Sequence, residues 1–73
     1  MEEIQRISIT EAVAENIKNL ICSGEFEIGS KLPTETKICE ELKVSRTSVR
    51  EAFRLLQAQG YVVIYPGRGA FVA

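Results

Sequence analysis

The 73-residue chain contains no histidine, no aspartate and no tryptophan. Without histidine the commonest general base is missing, and neither a Ser/His nor a Cys/His nucleophile pair can be assembled. Its two cysteines, Cys22 and Cys39, have a spacing that matches neither C-x-x-C nor a zinc pattern, and no His or Asp is present to complete a metal site. Catalysis, a metal centre and a bound cofactor are therefore not expected. Both cysteines fall at apolar positions of predicted helices, which predicts buried, reduced thiols; a disulfide would need an oxidising compartment that nothing else in the chain suggests. Long apolar runs are missing as well, so no membrane span is expected. The first residues, MEEIQRIS, open acidic rather than basic, unlike a signal peptide. A soluble cytoplasmic protein is the expectation.

What is present is one domain's worth of ordinary globular sequence, residues 1–73, with 45% apolar residues. The net charge of -1 hides a segregation. Residues 1–41 hold nine Glu against four Lys or Arg, a balance of -5, whereas residues 42–73 hold five Lys or Arg against one Glu, a balance of +4. An acidic half and a basic half suggest one face turned toward a polyanion and one turned away. The acidic half also predicts weak, strongly salt-dependent nucleic-acid binding by the isolated chain.

Ser8 and Glu11 form an S-x-x-E capping box, so a first helix is expected from about residue 9. Ile9, Val13, Ile17, Leu20 and Ile21 recur at helical spacing as its buried face, and Gly24 is placed to end it. The segment Gly24 to Pro33 reads as a connector with a short edge strand near Ser30–Leu32, Phe26 and Ile28 serving as satellite core. Thr34 caps a second helix to about Leu42, with Glu35 in its first turn and Ile38, Cys39 and Leu42 inward. Only Lys43 to Ser45 separate it from a third helix, which Ser45 caps. In that third helix Val49, Ala52, Phe53 and Leu56 fall within an arc of about 100°. Arg46, Thr47, Arg50 and Arg54 fall on the opposite side, and the three arginines follow one another at i, i+4 as a ridge of positive charge. Such a ridge is either a solvated basic face or a surface that meets a polyanion. Two helices joined this tightly, the second basic, fit a helix-turn-helix. After Gly60, YVVIY, the turn PGRG and AFV read as a β-hairpin with Arg68 at its tip.

With these strings in order, GSKLPTE at 29–35, VSRTSVREAFRLLQAQG at 44–60 and PGRGAFV at 66–72, the chain resembles the N-terminal DNA-binding domain of GntR-family bacterial transcription regulators, most closely the FadR-type branch. The resemblance covers about Ser8 to Val72. It implies an α+β, mainly α fold, a winged helix-turn-helix of three helices plus a small three-stranded antiparallel sheet with a C-terminal β-hairpin wing. It also implies sequence-specific binding to double-stranded DNA, with the third helix in the major groove and the wing at the minor groove. On the matching positions, Arg46 is the candidate for base readout, since a guanidinium can grip O6 and N7 of guanine together. Ser45, Thr47 and Ser48 suit backbone phosphates near the positive end of the helix dipole. Arg50 can reach base or phosphate; Arg54 serves a phosphate or pairs with Glu51. Gly67 and Arg68 match the wing tip, where a narrow groove favours inserted arginine.

The chain departs from the family pattern in three places. Thr36 stands where a base-contacting arginine is common, leaving Lys37 to supply a less directional charge. Lys43 stands where the turn often has glycine, so a positive φ there costs about 1 kcal/mol, recoverable through a phosphate contact. Val63, Ile64 and Tyr65 make the wing strand apolar, which fits either a surface covered by a partner subunit or further domain, or simple sheet packing. The family's effector-binding, dimerising domain is not within these residues. The expectation is therefore an operator-reading domain whose parent is a homodimer on a palindromic operator, a small-molecule effector belonging to the other domain. The alternative is a winged-helix protein-interaction module without specific DNA binding.

Overall fold

The computed structural model describes residues 8–73. Helix α1 runs Ile9–Cys22, α2 Glu35–Leu42 and α3 Arg46–Ala58, followed by strands β1 Val62–Tyr65 and β2 Gly69–Val72. Each helix starts where a hydroxyl takes up an orphan amide. Ser8 Oγ accepts from Glu11 N at 3.1 Å while Glu11 Oε1 accepts from Ser8 N at 3.4 Å, completing the capping box. Thr34 Oγ1 accepts from Lys37 N and Ser45 Oγ from Ser48 N, both at 3.1 Å. Each such cap contributes about 1 kcal/mol.

The α2–α3 turn is made by a residue in an unfavourable conformation. Lys43 has φ 57 and ψ 47, the left-handed region, and is the one non-glycine residue with positive φ among those described. Its backbone N–H returns to Cys39 O, closing α2 as a glycine would.

The core forms where α1 and α2 lie on α3 and β1 of the hairpin packs against α3. Val49, Ala52 and Leu56 of α3 are 0% exposed, and Val13, Ala14 and Ile17 of α1, Leu32, Ile38, Val62, Ala70 and Val72 pack around them. The buried face of α3 is the one its spacing predicts. α1 differs at its ends: Ile9, on the first turn, is 56% exposed, and Leu20 and Ile21 are half-buried, while Ala14 is buried instead. Cys22, on the last residue of α1, is exposed rather than buried, and Cys39 is half-buried. A residue at a helix end is covered only if a neighbouring element extends past it.

The hairpin pairs Val62 with Val72 and Tyr65 with Gly69 in antiparallel register. Among the described residues the sheet has two strands, not the three expected. The segment expected as a third strand makes a single bridge, Lys31 to Phe71, although Leu32 N donates to Ala70 O at 2.8 Å and Val72 N to Ser30 O at 2.9 Å. It is bracketed too closely to extend: Pro33 has no amide hydrogen to donate, and a β-turn ends just before it. In that turn Ser30 N donates to Glu27 O, and Gly29 takes the positive φ of 87 that its third position needs. Ile28 occupies the outward corner of this turn and is 84% exposed, so only Phe26 joins the core edge. The outer edge of β1 is tied to α3, since Gln57 Oε1 accepts from Ile64 N at 2.7 Å.

Candidate nucleic-acid interface

Three separate elements surround one groove of about 540 Å³: the start of α2, the exposed side of α3 and the base of the wing. α3 contributes Arg46, Arg50 and Arg54, which one-turn spacing stacks along a single line. The wing contributes Arg68, the start of α2 contributes Thr36 and Glu35, and Lys31 enters from the connector. Among the described residues five cations thus share this groove with one carboxylate and with apolar Leu32, Phe53, Ile64 and Ala70. The other expected positions lie outside the wall of this groove. Ser45, Thr47 and Ser48 sit at the leading end of α3, Lys43 in the turn and Gly67 in the wing turn.

The five cations are not equivalent. Arg50 makes a side-on pair with Glu35, Nε to Oε2 at 3.5 Å and Nη2 to Oε1 at 3.4 Å. Its side chain is 52% exposed, so the pair orients the guanidinium more than it stabilises the fold, with about 0–1 kcal/mol expected. Among the described residues Arg46, Arg54, Arg68 and Lys31 have no carboxylate within 4.0 Å. Arg54 therefore does not pair with Glu51, whose Oε1 instead accepts from Thr10 Oγ1 of α1 at 3.2 Å. An unpaired cation keeps its full field for a ligand; a paired one is held in place.

The hydroxyls at the α3 start also divide. Ser45 Oγ, besides accepting from Ser48 N, donates to Ser48 Oγ at 3.0 Å. Thr47 is exposed and makes no hydrogen bond through its hydroxyl to another described residue. Lys37 is exposed but stands outside the groove wall, whereas Thr36 lines it. The wing tip is held by Arg68 N donating to Tyr65 O at 2.9 Å, which leaves the Arg68 side chain exposed. On the outer face of the hairpin Tyr65 meets Phe71 edge-on, with ring centroids 5.5 Å apart. Val63 and Ile64 are half-buried, while Tyr65 stays 48% exposed despite that contact.

Two groove residues were not expected from the sequence: Glu35 as the partner of Arg50, and Lys31. The signal for Lys31 was present, because an edge segment at Ser30–Leu32 pairing with the hairpin necessarily carries residue 31 to the wing.

A short turn between α2 and α3, a helix with its arginines outward and a hairpin folded beside it define a winged helix-turn-helix domain. The family described as bacterial regulatory proteins, gntR family, matches residues 9–72, and the chain belongs to it. The Glc operon transcriptional activator of Escherichia coli (strain K12) is 39% identical over 69 residues, 94% of this chain. The Uxu operon regulator of Haemophilus influenzae is 40% identical over 72 residues, 99% of this chain. This chain spans 27% of the length of each of these relatives. Among solved structures, the AraR DNA-binding domain in complex with operator ORE1 superposes with a TM-score of 0.90 at 30% identity, covering 100% of this chain and 89% of that one. No helix among the described residues is long and apolar enough to cross a membrane.

Proposed function

We propose that this chain is the operator-reading domain of a transcription regulator, binding double-stranded DNA sequence-specifically with α3 in the major groove and the wing tip at the minor groove. The observation that carries this reading is the groove in which Arg46, Arg50, Arg54 and Arg68 converge from two elements around one carboxylate, already paired, among the described residues. The likeness to a domain described in complex with its operator supports the same reading.

Arg46, without a carboxylate partner among the described residues and on the first turn of α3, reads a base edge. Arg50, held by Glu35, presents its remaining N–H groups to base or phosphate. Thr47, Ser48 and Ser45 offer phosphate contacts at the positive end of the helix, with Thr47 the freest of the three. Arg54 and Lys43 meet backbone phosphates, Thr36 makes at most a short contact in place of the family's arginine, and Gly67 with Arg68 approaches the minor groove. We place the parent protein in the FadR-type branch on the wording of its three strings, as a cytoplasmic homodimer whose other domain takes a small-molecule effector. Two half-sites about 34 Å apart, or a multiple of this, then match its two-fold symmetry.

The test is selection of a duplex from a random library by two copies of the chain joined by a flexible linker, followed by titration of Arg46→Ala on the selected and on a random duplex. A loss of about 1–3 kcal/mol on the selected duplex with little on the random one is expected. Equal losses on both remove Arg46 from base readout. No selectable duplex at low salt, with a protein bound instead through the Val63–Tyr65 strand, establishes the interaction-module reading.

A further inference from the structure

Lys31 reaches the groove by an unusual route. Its backbone faces Phe71 across the isolated bridge and is flanked by the Leu32–Ala70 and Val72–Ser30 hydrogen bonds, so its starting point is fixed. From there the side chain lies over Gly69. A Cβ at position 69 would stand 2.9 Å from Lys31 Cε and 3.7 Å from Lys31 Nζ. The first distance is shorter than two carbon atoms tolerate, so a side chain at position 69 would make the flexible end of the lysine shift from this path. Gly69 also has φ 113, a conformation open to glycine, so two independent constraints meet at one residue. Past Gly69 the lysine enters the wall of the groove that Arg46 and Arg68 also line. It is exposed, and among the described residues no carboxylate lies within 4.0 Å of its ammonium.

The shape of a duplex gives this position a meaning. With α3 in the major groove and Arg68 at the minor groove, the line of phosphates that separates the two grooves has to pass between helix and wing. Lys31 and Gly69 line the groove that α3 and the wing share. Resting on the DNA-binding reading above, we propose that Lys31 is a further DNA-binding residue. It is a sequence-independent contact to a backbone phosphate between the helix and the wing. Contacts of this kind fix register without reading sequence, so Lys31 sets how the wing and α3 straddle one strand.

The test is fluorescence anisotropy of a labelled random-sequence duplex titrated with the chain between about 50 and 200 mM salt. Lys31→Met keeps the stem over Gly69 and removes only the charge. Its plot of log K against log salt is expected to be shallower by about 0.9, the release associated with one phosphate. Lys31→Arg retains the wild-type slope, and Lys31→Met with Arg68→Ala gives a slope shallower by about 1.8. Lys18→Met, which removes a cation held on α1 against the Tyr61 ring at 5.6 Å, is the control and changes the slope much less. Thermal melts identify any variant that loses its fold, and Lys31→Gln then replaces Lys31→Met with the same expected slope. An unchanged slope in Lys31→Met, or a change equal to that of Lys18→Met, overturns the assignment. If at the same time Arg46→Ala still weakens binding to a selected duplex, the groove reading stands and only Lys31 is lost from it. If Arg46→Ala is also silent on selected and random duplexes, both fall together.

Discussion

α1 and α3 share a construction. Each begins at a serine that accepts from the amide three residues on, and each buries a stripe against the other. The other sides differ. α1 exposes Glu11 and Glu15, and its single cation, Lys18, is held by Glu15 at 3.9 Å and by the face of Tyr61. α3 exposes Arg46, Arg50 and Arg54, two of which have no carboxylate partner among the described residues. Even the cross-link between the helices follows this division, since Thr10 of α1, and none of the α3 arginines, engages Glu51, the one acid of α3. The difference teaches that capping and burial build a scaffold indifferent to charge, while the solvent side of each helix decides which face meets a polyanion.

The strongest test of the shared part is Leu56→Ala, at a side chain that is 0% exposed. It is expected to cost about 2–5 kcal/mol, read by denaturant unfolding. A much smaller cost means that α1 and α3 do not share one packed core. Next comes the pair Ser8→Ala and Ser45→Ala. Each should lower stability by about 1 kcal/mol, but only Ser45→Ala should also weaken DNA binding, so equal effects of the two on duplex affinity break the asymmetry between the helices. Lys43→Gly relieves the left-handed backbone and should raise stability by up to about 1 kcal/mol. If Lys43 also meets a phosphate, the same variant shows a shallower salt dependence, which anisotropy titration separates from the gain in the melt. The smallest effect belongs to Glu15→Gln on α1. Stability should change by less than about 0.5 kcal/mol and random-duplex affinity by less than about twofold; a large gain in affinity places α1 near the DNA and removes the contrast.

Much of this was legible in the residue order because the signals are local. Ser8 with Glu11, Thr34, Ser45 and the spacing of Val49, Ala52, Phe53 and Leu56 each act within one or two helical turns, and all appear as read. The failures lie where an outcome depends on something distant. Cys22 and Ile9 sit at apolar positions but at helix ends that no neighbour covers. Ile28 alternates like a core residue yet occupies the corner of a turn. The third strand shrinks to one bridge because a turn and Pro33 bracket it. In the candidate site the arginine ridge was visible from spacing alone, the pairing of Glu35 with Arg50 fifteen residues on was not, and Lys31 was signalled only through its edge segment, which bridges to a strand forty residues away.

The amino-acid sequence by itself determined where the helices start, which side of α3 is buried, and that its arginines share one line. These follow from helical periodicity and from short hydroxyl-to-amide reach. Only the tertiary structure decided that Arg50 is held while Arg46 and Arg54 have no carboxylate partner among the described residues, and that Arg68 and Lys31 come to the same groove. Those outcomes depend on distances between elements, which are set when the chain closes its core and which no local pattern encodes.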